Sequence, residues 1–379
     1  MAATSRAMVL ERPGSFVENS FEVPLPNPDE FVLRVDLVTI CGGDLIEYAG
    51  GNRKAKYPLL MGHEVVGTVV AIGDDAVQAH KISVGDRVSV EPYLRCGRCD
   101  ACRRGEYHFC SEGLTYGVTI PSTEPPHLWG GYSQYFFGAP GARVHKVAAS
   151  VPDEAAVLTS VLANGVRWVR TRGQVRVGEG VLVTGLGVQA LASIIVASLA
   201  GASPIVVACR ETDESRLALA REYGADLIFN TDELQTSESS RAELRSLGLA
   251  VAIECTGAEE VYRIATDALA FGGRMVSAGT RGGKPLSLDL DAVVFKELTI
   301  LGGLGQAGDT ELAAEIVNSG RFAVEKMVTH RFPLSRVDDA IQLSLRGEQD
   351  VIHIGLDPWA EESIHLGAVS DDAPSNSTA

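Results

Sequence analysis

Four cysteines fall close together, as Cys96-x2-Cys99-x2-Cys102-x7-Cys110. Thiolates at this density match the ligand set of a closed tetrahedral zinc site. The run CGRCDACRRGEYHFC has little apolar content, so a metal would replace the core it lacks. Reduced thiols on a loop, or a disulfide knot, would leave the regular spacing unexplained. Residues 96–110 are therefore expected to form a structural zinc lobe. Such a lobe is a scaffold, and the chemistry has to be read elsewhere.

The chain has 379 residues, enough for two domains with separate cores. No apolar run reaches the length of a membrane helix; the most apolar window, Ala190 to Ala202, lies inside an α/β pattern. The first residues, MAATSRAMVLERPG, lack a signal-peptide core. A net charge of −16 argues against a nucleic-acid partner and favours solubility. The other cysteines are Cys41, Cys209 and Cys255. This usage suits a reducing cytoplasm with metal-bound thiolates. The expected partner is a small-molecule substrate, with neither nucleic acid nor membrane involved.

Residues 1 to about 155 read as mainly β. Alternating runs at 31–38, 65–72 and 87–90 are cut by turns at Gly73-Asp74 and Gly85-Asp86. This is the pattern of a small, partly open barrel with long loops. From Gly180 the chain alternates strand and helix. Strands are expected at Val181–Thr184, Ile205–Ala208, Leu227–Phe229, Val251–Glu254, Arg274–Ser277 and Leu298–Leu301. Six strands with intervening helices predict an α/β, doubly wound dinucleotide-binding domain over 156–302. The residues from 303 to 359, with a helix at 310–318, are expected to return to the first domain. The acidic, serine-rich end, 360–379, reads as a disordered tail.

Gly185-x-Gly187-x-x-Ala190 follows a strand and opens a helix. The first glycine permits the tight turn, the second lets the backbone approach a pyrophosphate, and the third position packs helix on strand. Cys209 lies 22 residues beyond Gly187 and is followed by Arg210. A neutral and then a basic residue there favour a 2′-phosphate, hence NADP. Glu211 keeps NAD open.

Upstream stand Cys41-Gly-Gly-Asp44 and Gly62-His63-Glu64. A thiolate, an imidazole and carboxylates are good ligands for a zinc ion with an open position. Together with Gly130-Gly-Tyr-Ser-Gln-Tyr135, Glu254-Cys-Thr-Gly257 and Gly272-Gly-Arg274, this set resembles the zinc-dependent medium-chain dehydrogenase/reductase superfamily. That superfamily holds the alcohol, sorbitol, threonine and butanediol dehydrogenases. The resemblance runs from about Met8 to Pro358. It implies a GroES-like catalytic domain interrupted by a Rossmann domain. It also implies hydride transfer between the nicotinamide and an alcohol or carbonyl held on zinc, and assembly into dimers or tetramers through the edge strand of the nucleotide domain. By carry-over, Cys41, His63 and Glu64 are expected to hold the catalytic zinc, with Asp44 orienting His63.

Three positions depart from the family pattern. Gly43 stands where a proton-relaying serine or threonine is usual, and Ile46 where a histidine ends that relay. Ser160 stands about 25 residues before Gly185, where the last ligand is usually Cys, Glu or Asp. Zinc then keeps Cys41, His63 and Glu64 with one water, or Ser160 coordinates or donates a proton, or the catalytic site holds no zinc. The last case would suit a reductase of conjugated C=C or C=N bonds, with Thr159, Ser160 or Tyr48 supplying the proton. A non-catalytic nucleotide-binding module is the remaining alternative. The histidines at 127, 145, 330 and 353 have no ligand-like spacing and read as surface or packing residues. Asn164-Gly165 reads as the start of a helix behind the nicotinamide.

Overall fold

The computed structural model describes residues 3–210 and 213–366. Two sheet systems divide the chain. The six-stranded sheet has the order Leu227–Asn230, Ile205–Cys209, Val181–Thr184, Leu249–Glu254, Leu269–Ser277, Thr299–Gly302, with every pairing parallel. Val181–Thr184 and Ile205–Cys209 are buried at every position. Helices cover both faces of such a sheet, so its central strands carry unbroken apolar runs rather than alternation. The strand order reverses beside Val181–Thr184, the place where doubly wound sheets open a crevice for ligands.

The second system is mainly antiparallel. Its central strand, Phe31–Thr39, pairs with Val65–Ile72, with Tyr135–Gly138 and with His353–Asp357. Val328–Pro333 runs parallel to His353–Asp357, so late segments complete a sheet begun by early ones. The core around Phe31, Leu33, Met61, Tyr132 and Phe136 is fully buried. The expected α/β architecture, a β catalytic unit with a doubly wound nucleotide unit, is what the strands form.

Two details differ from expectation. The stretch after Ala360 is not wholly a tail, because Ile364–His365 pairs antiparallel with Arg331 and His330; residues 367–379 lie outside the described residues. Asn164 and Gly165 do not open a helix but sit near the end of Thr159–Val166. That helix packs tightly, since a Cβ on Gly165 would come within 2.9 Å of the Ala192 carbonyl oxygen. Among the described residues, no helix is long and apolar enough to cross a membrane.

Candidate active site and metal centres

The four cysteines at 96, 99, 102 and 110 place their sulfur atoms within 4.8 Å of one another, and none is in a disulfide. Cys96 Sγ and Cys102 Sγ are 3.9 Å apart. Zinc–sulfur bonds of about 2.3 Å set a tetrahedral edge of about 3.8 Å, so the spacing fits a zinc ion and excludes a disulfide. The backbone N–H groups of Ser111 and Cys102 point at the Cys99 sulfur and hold its thiol below the ordinary range.

Cys41, His63 and Glu64 form a second cluster, again with ligand atoms within 4.8 Å. Cys41 ends an extended stretch and caps the helix Gly42–Tyr48. His63 follows Gly62, whose φ of +91° suits glycine, and a Cβ there would meet the Tyr132 ring at 2.6 Å. Asp44 is fully buried. Its Oδ1 lies 3.5 Å from His63 Nδ1, and its Oδ2 accepts from the Cys41 N–H at 2.9 Å and from the Tyr132 hydroxyl at 3.1 Å. One carboxylate thus caps the helix and faces the imidazole.

Glu64 is equally buried. Its Oε2 accepts from the Thr39 hydroxyl at 2.6 Å and pairs with His353 Nε2 at 3.0 Å. Burial opposes its ionisation, but the His353 bond and charge, His63 and Thr39 outweigh burial and hold its pKa at about 2. Burial also pushes the Cys41 thiol up to about 11, reinforced by Glu64. Burial lowers the pKa of His63, but Asp44 and Cys41 outweigh it and lift it well above the ordinary value. A dication among these groups would stabilise a thiolate and a carboxylate that otherwise repel each other. The donor set therefore fits zinc.

These residues line a cavity of about 620 Å³ with Gly43, Glu47, Tyr93, His108, Ser160 and Gln306. Ser160 faces this space, with its hydroxyl accepting from Gln306 Nε2 at 2.9 Å. Thr159 instead spends its hydroxyl on the Ala156 carbonyl. Tyr48 turns outward, where it donates to Asp338 and accepts from Gln342, so it is not placed to supply a proton here.

A cleft of about 800 Å³ lies alongside and shares Cys41, Gly43 and Asn164 with that cavity. Its floor is Gly185, Leu186, Gly187 and Ala190, faced by Thr256, Ser277 and Gly305. Gly185 has φ +84°, and Gly187 caps the helix Val188–Leu199 with open space where a Cβ would stand. A pyrophosphate fits that backbone approach. Cys209 is buried at the end of its strand. Arg210 is not part of this lining. Its guanidinium pairs with Asp232 at 3.1 Å and Glu260 at 2.9 Å, so a 2′-phosphate would compete with two carboxylates. Glu211 lies outside the described residues.

Sequence spacing passes over several partners. His353, read as a packing residue, holds Glu64; Tyr132 holds Asp44. His145, also read as peripheral, meets the buried Glu91 at 2.6 Å. His330, Asp350 and His365 form a further cluster. The two imidazoles are stacked, with planes 13° apart, and their Nε2 atoms lie 4.0 and 3.9 Å from Asp350 Oδ2.

The alcohol dehydrogenase GroES-like domain model matches residues 27–149, and the zinc-binding dehydrogenase model matches 190–319. A "Probable alcohol dehydrogenase" of Mycobacterium tuberculosis H37Rv is 36% identical over 358 residues, covering 92% of this chain and 96% of that protein. The L-threonine 3-dehydrogenase of Pyrococcus abyssi is 33% identical, covering 86% and 91%. Among solved structures, an alcohol dehydrogenase from Escherichia coli CFT073 complexed with NADH superposes with a TM-score of 0.81 at 27% identity, covering 93% and 99%.

Proposed function

This chain belongs to the zinc-containing alcohol dehydrogenase superfamily, and from that premise we propose that it interconverts a small polar alcohol and its ketone at the expense of a nicotinamide cofactor. The observation that carries the reading is the Cys41, His63, Glu64 cluster, whose ligand atoms lie within 4.8 Å beside a glycine-floored cleft. Cys41, His63 and Glu64 would hold a zinc ion, which would supply Lewis-acid chemistry toward an alcohol or carbonyl oxygen, and the glycine-floored cleft would hold a nicotinamide, which would supply hydride chemistry. Asp44 orients His63, and Thr39 with His353 keeps Glu64 ionised. The helix N-terminus at Gly187 takes the pyrophosphate. Asn164, which borders both cavities, lies where nicotinamide and substrate would meet. A reducing cytoplasm, which keeps the thiols available, is the proposed location.

Native mass spectrometry and a turnover panel of polyols, amino alcohols and ketones test this. The expected result is two zinc ions per chain, with Cys41→Ser reducing the count to one and abolishing turnover. Unchanged turnover in both Cys41→Ser and Glu64→Ala would overturn the reading.

A further inference from the structure

The helix Gly42–Tyr48 carries Gly43 and Glu47 four residues apart, hence on one face. A Cβ on Gly43 would lie 3.6 Å from His63 Cε1 and 3.7 Å from Glu47 Oε2. Both are ordinary contact distances, so a small side chain fits there without displacing anything. The space that a relaying hydroxyl would enter is therefore open at Gly43 and bordered by the Glu47 carboxylate.

Glu47 is only 3% exposed. Its Oε1 accepts from Asn52 Nδ2 at 2.6 Å, and its backbone carbonyl accepts from the Tyr57 hydroxyl. Its Oε2 is buried and has no hydrogen-bond partner. Leaving such an oxygen unpaired is destabilising, a cost that a ligand at that oxygen would remove. Glu47 borders the same cavity as Cys41, His63 and Ser160. The charged and titratable groups around it are Asp44 on its own helix, His63 across the cavity, Tyr57 behind it and Lys54 beside Asn52. Burial, and then the charge of Asp44, raise its pKa from the ordinary value, which suits a group that takes and returns a proton. The other relay position, Ile46, is aliphatic, and Tyr48 faces Asp338.

We propose that Glu47 is the proton acceptor in alcohol oxidation and the donor in the reverse reaction, in place of the hydroxyl absent at Gly43. The alcohol carbon gives hydride to C4 of the oxidised nicotinamide, which is thereby reduced. The O–H bond breaks as C=O forms. The proton passes to Glu47 Oε2, directly or through one water, and then to bulk water at the mouth beside Asn52 and Lys54. This rests on the dehydrogenase reading above.

The test compares the full-length zinc-loaded protein with Glu47→Gln, Glu47→Asp, Gly43→Ser and the Gly43→Ser/Glu47→Gln double variant. Glu47→Gln is expected to lower kcat about 100-fold, with KM, zinc content and NADH binding retained. Its kcat also loses the pH dependence of a single acid. Glu47→Asp keeps intermediate activity. Gly43→Ser returns at least about tenfold of the lost rate in the Glu47→Gln background, because it restores a hydroxyl to the relay position. A readout independent of turnover is the infrared difference spectrum on adding trifluoroethanol to the zinc–NAD+ complex. A carboxylic acid C=O band appears in the parent and is absent from Glu47→Gln. A kcat within about threefold of the parent, a band that persists in Glu47→Gln, or zinc loss in step with activity would overturn the proposal. Failure of the dehydrogenase reading looks different: the parent shows no alcohol or ketone turnover, and Cys41→Ser changes nothing.

Discussion

Glu64 stays ionised in a buried pocket because its partners outweigh desolvation, and those partners are not its neighbours in sequence. Thr39 and His353 both bond Oε2, which fixes how the carboxylate is presented to Cys41 and His63. Thr39→Val and His353→Phe are each expected to weaken zinc binding about 10- to 100-fold, as loss of groups that orient ligands commonly does. Chelator competition on the purified variants measures this. Arg210 gives a second prediction. With Asp232 and Glu260 holding its guanidinium, any effect of Arg210 on cofactor preference is expected to depend on those carboxylates as well. Asp232→Asn combined with Glu260→Gln is expected to move the ratio of kcat/KM for NADPH over NADH upward about tenfold. Arg210→Ala should move it downward. A ratio that ignores all three changes would remove Arg210 from the cofactor site.

The four-cysteine lobe is a short element with little regular structure: one turn at Asp100–Arg103 and a tight turn at Tyr107–Phe109. Its anchor is Tyr107, whose hydroxyl donates to Glu91 and accepts from the Gly308 N–H. Glu91 is fully buried and also takes Arg143 and His145. Burial resists its charge, yet the bonds from His145 and Tyr107 prevail, so its pKa lies below the ordinary value. A lowered carboxyl pKa stabilises the fold above the unfolded value, and that stability is lost as pH falls through the folded value. Glu91→Gln is therefore expected to cost about 2 kcal/mol at pH 7. The gap between parent and variant should narrow below about pH 4. Urea unfolding at the two pH values measures it, and a gap independent of pH would mean that the charge of Glu91 is not what matters.

At the scale of the molecule, Leu290, Val294 and Phe295 are exposed at 66%, 61% and 75%, and Ile300 is exposed on the edge strand Thr299–Gly302 that follows them in the chain. Apolar side chains grouped at a sheet edge favour a second copy of the chain. Light scattering is expected to give a dimer or larger, and Phe295→Glu with Ile300→Lys to give a monomer; a monomeric parent would refute this. The features legible from sequence were those with local periodicity: the cysteine spacing, the strand–glycine–helix turn and the six apolar strands of the nucleotide unit. The candidate metal-binding clusters were legible through short motifs. The groups that hold those ligands were not. Thr39 is 25 residues from Glu64, Tyr132 is 88 from Asp44, and His353 is 289 from Glu64. No motif marks Glu47; burial leaves one of its oxygens unpaired beside Gly43. Local spacing thus determined which elements form and which residues are candidates to bind metal and nucleotide. Which buried oxygens are partnered, and which one is left without a partner, was decided only when distant strands packed, because desolvation belongs to the assembled core and not to any segment of it.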